Sequence, residues 1–346
     1  MINIFKNLFK EKIGNPPWDY YFLKTLSESD YPKYLAKLFK IKTGENLPLL
    51  KEWNFKSGEW NYKINKKKLK TFNQKIQWIK LYGITPLMRD CTDKVKVRDY
   101  VAEKIGSEYL KPALQIVRNE ELEVRSNNSI SNFSMLTPNL FDKIDFEKLP
   151  DSFVIKCNHG CKWHFIIKNK EEYLKNKRLV DITRRNITGW LEQEFWIWGG
   201  FELNYREIKP KILIEPLLRD EINTVPREIE VYCFNSQPKI FVNVKYKHKR
   251  EICYYDENFN FIDLLLHPDG NNEIIKENAD DLLYRGSDLS SRLSKDFPFV
   301  RVDWLIYHNK LYFNELTFTP YSGFIKFDKN WNLKLGSWID LEKERA

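Results

Sequence analysis

Four polar side chains near the carboxyl end of the chain have the types and spacing of a metal and phosphate site. Arg301 and Asp303 stand two residues apart in one apolar run. Glu315 and Thr317 have the same spacing in the next run. Residues two apart on a strand share a face, so antiparallel pairing could bring all four together. Carboxylates and a hydroxyl suit Mg²⁺ and a guanidinium suits phosphate, so the group indicates a site for a magnesium-bound nucleotide.

The element that must position these side chains is a β-hairpin. Residues 301–307 and 311–317 alternate in the manner of strands. Asn309 and Lys310 can form a short turn between them. This segment alone leaves one alternative open, an ordinary hairpin whose charges face water.

The composition of the chain allows a sizeable core. The chain has 346 residues, of which 42% are hydrophobic, and this length predicts two or three subdomains. No run approaches the about 18 uncharged apolar residues of a membrane-spanning helix. Lys6 and Lys10 interrupt the apolar start of the chain, which therefore does not resemble a secretory signal. Five cysteines, an odd number, favour a reducing cytoplasm over a disulfide framework.

The charge of the chain favours an anionic partner. Its formal net charge is +9, with dense basic runs at 66–68 and 245–250. Phosphorylated substrates, acidic polysaccharides, anionic membrane surfaces and nucleic acid all fit such a charge. Nucleic acid is not expected, because no known binding motif accompanies the lysines.

Helical patterns are typical of the first part of the chain. We expect a helical region over residues 1–68, which begins with a helix that carries Phe5, Leu8 and Phe9 on one face. That helix either anchors the chain at a membrane surface or packs on the domain. Two further helices are expected at 72–81 and 93–105, the second with Asp93 as its N-cap.

Strands become frequent from residue 153 onwards, and the pattern as a whole predicts an α+β fold with antiparallel strands and segregated helices. The expected strands are 153–156, 165–167 and 210–216, with a hairpin over 231–244 that turns at 235–238. The expected helices of this part are 171–177, 182–194 and 279–295.

A lysine that closes an apolar strand before a glycine loop, in FVIKCNHGCKW, offers a phosphate contact. Lys156 would supply charge, backbone N–H groups near Gly160 would contact phosphate oxygens, and His159 would be a further donor. GxxxxGK and GxGxxG are both absent, so a nucleotide site requires a fold other than the P-loop and Rossmann folds. No GxSxG or HExxH motif is present either.

The same loop offers a competing interpretation as a zinc site. Cys157, His159, Cys161 and His164 are four ligand types within eight residues. Ligands of one tetrahedral zinc usually come from two separate elements, and this argues against zinc here.

The motifs and their order resemble the TupA-like branch of the ATP-grasp superfamily, named after teichuronopeptide synthesis. The matching pieces are TFNQKIQWIKLYGITPL (71–87), CTDKVKVRDYVAEKIGSEYLKP (91–112), IDFEKLPDSFVIKCNHG (144–160), IKPKILIEPLL (208–218), YCFNSQPKI (232–240) and the 301–323 block. The resemblance implies a helical N-terminal region over 1–68 and an ATP-grasp domain over 69–346, in which two α+β subdomains clasp ATP. The nucleotide-binding subdomain with the phosphate loop would span about 145–215, and the subdomain with the metal site about 216–330.

The resemblance also implies roles in nucleotide binding. Lys156 would contact ATP phosphate, and the 157–162 loop with His159 and Gly160 would cover it. Glu228 would hold the ribose. The hinge that offers backbone groups to adenine is expected at Glu215, Pro216, Leu217 and Leu218.

Magnesium and phosphoryl transfer are assigned to the 301–317 hairpin by the same resemblance. Asp303 and Glu315 would bind Mg²⁺, together with Thr317 in the place where ATP-grasp proteins commonly have asparagine. Arg301, with Lys156, would act in catalysis by steadying the transferring phosphoryl group.

The activity that the resemblance implies is ATP- and magnesium-dependent ligation. A carboxylate would be phosphorylated to an acyl-phosphate, which an amine then attacks to form an amide. The substrates would be an amino acid or similar group and a small-molecule or glycan precursor of a cell-surface polysaccharide, anionic or lipid- or nucleotide-linked. The expected location is the cytoplasm or the cytoplasmic face of the membrane, and the sequence leaves the oligomeric state open.

Two alternatives stay open at this point. One is an ATP-grasp phosphotransferase that acts on a sugar or amino-acid group. The other is a glycan- or nucleotide-binding protein with weakened catalysis. The second is motivated by Glu230, where the family often has lysine, and by the bulky segment 161–163, where a serine- and glycine-rich loop is usual.

Overall fold

Over the residues that it describes, the computed structural model shows an α+β protein with three antiparallel or mixed β-sheets. These residues are 25–54, 59–118, 140–198, 200–219, 225–246, 249–264 and 272–342. The helix expected around Phe5, Leu8 and Phe9 lies outside them. None of the helices in the described ranges has the length and apolarity needed to cross a membrane.

The helices of the described residues are α1 (Tyr31–Thr43), α2 (Phe72–Tyr82), α3 (Pro86–Thr92), α4 (Val97–Ile105), α5 (Lys170–Lys175), α6 (Lys177–Leu191), α7 (Phe195–Trp198), α8 (Asp281–Leu293) and α9 (Lys329–Trp338). The strands are β1 (Leu49–Asn54), β2 (Glu59–Ile64), β3 (Gln115–Val117), β4 (Phe153–Cys157), β5 (His164–Ile167), β6 (Ile212–Pro216), β7 (Arg227–Phe234), β8 (Gln237–Tyr246), β9 (Arg250–Tyr255), β10 (Asn272–Ile274), β11 (Phe299–Tyr307) and β12 (Lys310–Thr317). Most predicted elements are therefore confirmed to within a few residues.

The larger sheet has six strands in the order β10-β9-β8-β7-β11-β12. Val302 and Trp304 of β11 are fully buried, and the Trp304 indole N–H donates to Ser290 Oγ of α8 at 2.9 Å. Since side chains alternate along a strand, Arg301 and Asp303 lie on the opposite face of the sheet. The sheet therefore has an apolar face covered by helix and a polar face that carries the predicted site.

The smaller sheet has four antiparallel strands in the order β3-β6-β4-β5. Its core contains Ile155 and Ile214 from the central strands and Ile187 and Trp190 from α6. Strand β3 comes from residues before 145, so this sheet extends beyond the range expected for the nucleotide-binding subdomain.

The N-terminal region is not purely helical, which corrects the expectation for residues 1–68. After α1, strands β1 and β2 form an antiparallel pair in which Leu49 is opposite Ile64. Ile64 packs in one apolar cluster with Leu35 and Phe39 of α1. The two runs alternate apolar and polar residues, and they become strands because each supplies the other with a hydrogen-bonding partner.

Helix α4 begins at Val97, four residues later than expected. The Asp93 carboxylate accepts hydrogen bonds from the Val95 N–H and from Asn158 Nδ2 instead of capping the helix. Asp93, which the pattern predicts as an N-cap, therefore makes a tertiary contact with Asn158 instead.

The hairpin of β11 and β12 confirms the predicted strands but differs in its turn. His308 and Asn309 form the turn, both with positive φ (47° and 56°), as a tight two-residue hairpin turn requires. Asp303 pairs with Glu315, whereas Trp304 pairs with Phe313, so Asn314 is an extra, bulged residue.

This bulge decides the face on which the acidic side chains lie. In the register of Trp304 and Phe313, the residue opposite Asp303 would be Asn314, and Glu315 would face the core. The extra residue shifts the alternation by one. Glu315 therefore joins the face of Asp303, while the buried positions shift to Leu316 and Phe318.

Two helical glycines test how closely the helices pack. A Cβ added at Gly336 of α9 would lie 2.3 Å from the carbonyl oxygen of Lys70, whereas one added at Gly286 of α8 meets nothing nearer than 3.9 Å. We expect Gly336→Ala to lower the free energy of unfolding by about 1–3 kcal/mol through overpacking. We expect Gly286→Ala, the matched control, to leave it unchanged or raise it by up to about 1 kcal/mol. Denaturant titration measures both, and equal stability of the two variants would contradict this packing.

Candidate functional site

A buried glutamate on the smaller sheet gathers three cationic side chains. Glu215 Oε2 lies 2.7 Å from Lys156 Nζ and 3.1 Å from Lys111 Nζ. Arg98 Nη1 lies 3.3 Å from Glu215 Oε1, and Arg98 also donates to the carbonyl of Lys111 at 2.6 Å. Lys156 reaches the carboxylate because β4 pairs with β6. The Glu215 side chain thus binds the cations, and its backbone belongs to the pairing of β6 with β4, opposite Val154.

The cation cluster carries more positive than negative charge. Burial by itself raises the pKa of Glu215, but the charges and hydrogen bonds of Lys156 and Lys111 outweigh it and lower the pKa to about 2. Burial and then repulsion from Lys156 lower the pKa of Lys111 to about 8, against the attraction of Glu215. A polyphosphate is a suitable partner for such an excess of buried positive charge.

Lys111 also connects the two sheets. Its Nζ donates to Asn314 Oδ1, on the bulge of β12, at 3.2 Å. The cations of the smaller sheet therefore lie beside the polar face of the larger sheet. The family-like piece 91–112 contains Arg98 and Lys111, but the sequence did not mark either as a site residue, because their acidic and amide partners are about a hundred residues or more away along the chain.

The larger sheet carries a row of carboxylates around one arginine, as the sequence predicted for Arg301, Asp303, Glu315 and Thr317. Arg301 Nε and Nη2 donate to the two oxygens of Asp303 at 2.7 and 2.5 Å. Arg301 also lies 3.6 Å from Glu315 and 3.7 Å from Glu230, which is opposite Asp303 on β7. Thr317 Oγ1 donates to Glu315 at 3.1 Å.

Negative charge exceeds positive charge in this acidic row. Burial, with the charges of Glu230 and Glu315, raises the pKa of Asp303 well above its usual value against the opposing effect of Arg301. Burial also tends to raise the pKa of Glu315, but Lys94 and then Arg301 outweigh it and lower that pKa. One guanidinium among three carboxylates leaves a charge that a divalent cation could balance.

The acidic row is not a formed coordination shell. Among the described residues, no group of three or more His, Cys, Asp or Glu is placed to hold a metal ion. Both Asp303 oxygens are bonded to Arg301, so a metal would have to compete with that arginine.

The loop at 157–162, which is predicted to cover phosphate, is anchored by Trp163, a bulky residue where the family usually has a small one. Trp163 is 4% exposed and packs parallel to Trp190, with ring centroids 6.2 Å apart. A Cβ at Gly160 would lie 2.2 Å from the Trp163 ring, which explains the glycine. Trp163 therefore lies in the core, whereas Cys161 and Lys162, the other two residues of the bulky segment, are exposed.

His159 has its side chain in the core, which differs from the expected donor to phosphate. Its Nε2 lies 3.1 Å from the Trp190 carbonyl oxygen and its Nδ1 3.2 Å from Asn158 Oδ1. Burial lowers the pKa of His159 to about 4, so the ring is neutral. A contact of this residue with phosphate would use its backbone N–H. The alternative zinc set is also dispersed, since Cys157 is buried in the core and Cys161 is exposed.

Asn158 holds three chain segments together and was not singled out by its sequence. It is fully buried, and its Nδ2 donates to Asp93 Oδ1 at 2.9 Å and to the Lys209 carbonyl at 3.0 Å. Its Oδ1 accepts from the Lys211 N–H at 2.7 Å. The phosphate loop is therefore fixed both to the segment before α4 and to the start of β6.

Glu228 lies on the polar face of the larger sheet beside further polar groups. It accepts a hydrogen bond of 3.0 Å from Tyr246, and burial together with Glu230 raises its pKa to about 6. The charge of Arg250, from the predicted basic run, favours the ionised form of Glu228. Lys245 of the same run pairs instead with Glu277, at 2.5 Å.

The structure describes the predicted hinge residues 215–218 but not the residues that follow from 220 to 224. Glu215 and Pro216 end β6, and the Leu217 N–H donates to the Ser152 carbonyl at 3.5 Å. Leu218 follows without regular structure, and residues 220–224 lie outside the described ranges. The roles of these residues towards adenine stay predictions.

The contact between Lys111 and Asn314 thus joins an α+β half with a cation-rich sheet to one with an acid-rich sheet. The family model described as TupA-like ATPgrasp matches residues 135–340, more than half of the chain, and the chain belongs to this family. The predicted fold class and family are thereby confirmed. Lys94, Arg98 and Lys111 come from residues that precede the matched range.

Solved structures with a related fold are distant from this chain. The D-alanine–D-alanine ligase of Helicobacter pylori is 15% identical to this chain, with a TM-score of 0.38. The match covers 88% of this chain and 84% of the ligase chain. The D-alanine–D-alanine ligase of Bacillus anthracis is 14% identical, covers 73% and 67%, and has a TM-score of 0.37. The N5-carboxyaminoimidazole ribonucleotide synthetase of Thermus thermophilus is 10% identical, with a TM-score of 0.32. The match covers 66% of this chain and 45% of the synthetase chain. No curated protein sequence matches the chain. The assignment therefore depends on the family match.

The low pKa of Glu215 predicts how stability depends on pH. The folded-state pKa is about 2 and the ordinary value is 4.5, so ionised Glu215 stabilises the fold above pH 4.5. This contribution is lost as the pH falls towards 2. We expect the pH-dependent part of the stability difference between wild type and Glu215→Gln to be about 3 kcal/mol near pH 5 and roughly half of that at pH 3. Urea unfolding at several pH values measures it, and a difference independent of pH would contradict the ion cluster.

Proposed function

We propose that this protein is an ATP- and Mg²⁺-dependent carboxylate–amine ligase that attaches an amino acid or similar group to a precursor of a cell-surface polysaccharide. The observation that carries the proposal is the hydrogen bond between Lys111 and Asn314. It joins the lysine cluster of one sheet to the acidic row of the other. Groups suited to phosphate and groups suited to a metal ion are thus neighbours, and the region that these side chains of the two sheets line is called the cleft below.

ATP fits the charges of this cleft. Lys156 and Lys111 would contact phosphate oxygens. In the free protein, the carboxylate of Glu215 is the partner of both lysines. Glu228, two residues from Glu230 on β7, would hold the ribose, and the backbone of residues 215–218 would contact adenine. The positive charge that Glu215 leaves unbalanced supports this placement.

Mg²⁺ fits the donor chemistry of the acidic row. Asp303, Glu315 and the Thr317 hydroxyl are hard oxygen donors, and the row has more carboxylates than cations. When bound, the ion would neutralise phosphate charge during transfer. Because Asp303 is paired with Arg301 in the free protein, release of Asp303 would free the guanidinium to contact the transferring phosphoryl group.

The proposed reaction needs no nucleophilic side chain. A substrate carboxylate oxygen would attack the γ-phosphorus, ADP would leave, and an acyl-phosphate would form. The nitrogen of an amine would then attack the acyl carbon, phosphate would leave, and the amide would form after loss of a proton. Positioning and charge neutralisation are the contributions of the protein, and the described cleft supplies groups for both.

The proposed substrate follows from the family and the charge. The TupA-like family name refers to teichuronopeptide synthesis, and a net charge of +9 favours an anionic acceptor, either lipid- or nucleotide-linked. Such an acceptor would be modified in the cytoplasm or at the cytoplasmic face of the membrane.

Removing a carboxylate from the acidic row is expected to reduce the response to Mg-ATP. A ligand at 100 times its Kd stabilises a protein by about 2.7 kcal/mol, so we expect Mg-ATP to raise the Tm of the wild type by several degrees. Asp303→Asn and Glu315→Gln should lose most of this increase, because each removes an anionic donor. Glu171→Ala, a surface change on α5, is the control and should respond as the wild type does. Thermal-shift titration measures all four, and equal responses would contradict the metal assignment.

Product analysis separates ligation from phosphotransfer. With a carboxylate donor and an amine acceptor, we expect ADP, phosphate and an amide in equal amounts by mass spectrometry. A stable phosphorylated product without amide would instead establish a phosphotransferase. Mg-ATP binding without ATP consumption across a broad panel of substrates would favour a binding protein.

A further inference from the structure

We propose that residues 31–70 dock on an anionic lipid bilayer. These residues comprise α1, the pair of strands β1 and β2 and the turn that follows β2, and they are called the N-terminal unit below. The inference deepens the proposed function, on which it rests for an acceptor that is lipid-linked. The docking surface, called the basic surface, consists of the exposed side chains of Lys37, Ile41, Trp53, Lys67, Lys68 and Lys70.

Almost all of the net positive charge of the chain lies in the N-terminal unit. Its sequence has eleven lysines, three glutamates and no other charged residue, which gives a net charge of +8. The whole chain has a net charge of +9, so the rest of the chain contributes only +1. An anionic surface attracts and orients a protein with such an asymmetry, with the basic unit towards the surface.

The carboxylates of the N-terminal unit neutralise few of its lysines. Glu45 is used inside the protein, where its two oxygens accept hydrogen bonds from Asn332 Nδ2 at 2.6 Å and from Thr71 Oγ1 at 2.9 Å. Glu52 pairs with Lys63 at 2.8 Å. Within the described ranges, no carboxylate pairs with any of the four lysines of the basic surface. Their charges are therefore available to an external anion.

One small apolar cluster holds the segments that carry these lysines. Leu35 and Phe39 of α1, Ile64 of β2 and Leu69 of the following turn pack together in it. Because Leu69 is buried in this cluster, the turn is fixed and its lysine neighbours on both sides are exposed. The charges of the turn and of α1 thus belong to one packed unit.

The outer face of α1 adds further lysines and an exposed apolar residue. Lys33, Lys37 and Lys40 follow each other at intervals of four and three residues, so they share one face of the helix. All three are exposed, whereas Leu35 of the same helix is fully buried. The helix therefore has an apolar inner face and a basic outer face.

The apolar residues of the basic surface favour a bilayer over a soluble polyanion. Ile41 is 67% exposed on α1, and Trp53 is 43% exposed on β1. Exposed isoleucine and tryptophan among lysines are typical of a surface that lies in the headgroup region of a membrane. Nucleic acid and soluble acidic glycans are attracted by the lysines in the same way, but Ile41 offers them neither charge nor a ring on which to stack.

Vesicle co-sedimentation of the full chain, without nucleotide, tests the basic surface. The vesicles consist of phosphatidylcholine alone or of phosphatidylcholine mixed with anionic phosphatidylglycerol. The variants are Lys67→Gln/Lys68→Gln, which removes two charges, and Ile41→Gln, which removes an apolar side chain. The matched control is Lys177→Gln/Arg178→Gln, which removes two adjacent exposed cations at the start of α6.

We expect the wild type to bind the anionic vesicles at least about tenfold more tightly than the neutral vesicles. A lysine near an anionic bilayer contributes about fivefold to binding, so Lys67→Gln/Lys68→Gln should lose about tenfold or more. Ile41→Gln should lose severalfold, and this loss should persist at high salt, which screens the lysines but not the apolar contact. The control should bind within about twofold of the wild type.

Equal binding of the wild type to both kinds of vesicle would overturn the inference, as would equal losses in the Lys67/Lys68 variant and the control. Tighter binding to heparin than to anionic vesicles, with no effect of Ile41→Gln, would assign the surface to a soluble polyanion instead. The proposed function is tested separately by the thermal response to Mg-ATP. An intact response without vesicle binding would overturn this inference alone, and vesicle binding without any response would refute the proposed function alone.

A measurement on the wild type keeps the inference testable if a variant does not fold. Acetic anhydride labels accessible lysines, and mass spectrometry follows the extent of labelling with and without anionic vesicles. We expect the vesicles to protect Lys67 and Lys68 by severalfold and to leave Lys177 unchanged. Equal labelling of Lys67 and Lys68 in the presence and absence of saturating vesicles would contradict the proposed docking.

Discussion

The arrangement of the cleft depends on one bulged residue in a strand. Asn314 is a bulge in β12, and it shifts the alternation of that strand so that Glu315 and Thr317 share the face of Arg301 and Asp303. A regular hairpin would bury Glu315 against the apolar core, where an unpaired carboxylate is costly. The bulged residue also accepts the hydrogen bond of Lys111. One local irregularity thus creates the acidic row and connects it to the cations opposite.

Charge is distributed unevenly and in a complementary way across the two sheets. The smaller sheet buries more cations than anions around Glu215, and the larger sheet buries more carboxylates than cations around Arg301. Each excess is costly in a partly buried site unless a partner of opposite charge is nearby. A magnesium-bound polyphosphate offers negative charge to the first sheet and positive charge to the second. The proposed ligand therefore completes both halves of the cleft at once.

Two departures from the family pattern, Trp163 and Glu230, have different effects in the folded protein. Trp163 replaces a small residue of the usual loop, yet it stacks in the core with Trp190 and fixes the loop from below. Glu230 stands where a lysine is common, and it extends the acidic row next to Arg301. Glu230 changes the charge of the cleft, whereas Trp163 changes how the loop is held. Arg250 lies close enough to Glu230 for attraction between their charges.

Local periodicity and motifs were enough to predict strands β4 to β8, β11 and β12, most of the helices, the family and the grouping of Arg301 with Asp303. Strands β1, β2, β3, β9 and β10 were not predicted. The chain also contains a sign of the bulge, since the apolar positions Leu311, Phe313, Leu316 and Phe318 depart from strict alternation. Folding of the whole chain was needed to establish other features: Glu215 holds Lys111 and Lys156, Asn158 fixes the loop, and His159 lies in the core. These are contacts between segments far apart in the chain or choices between a buried and an exposed face, and no local pattern encodes the partner that a side chain meets on folding.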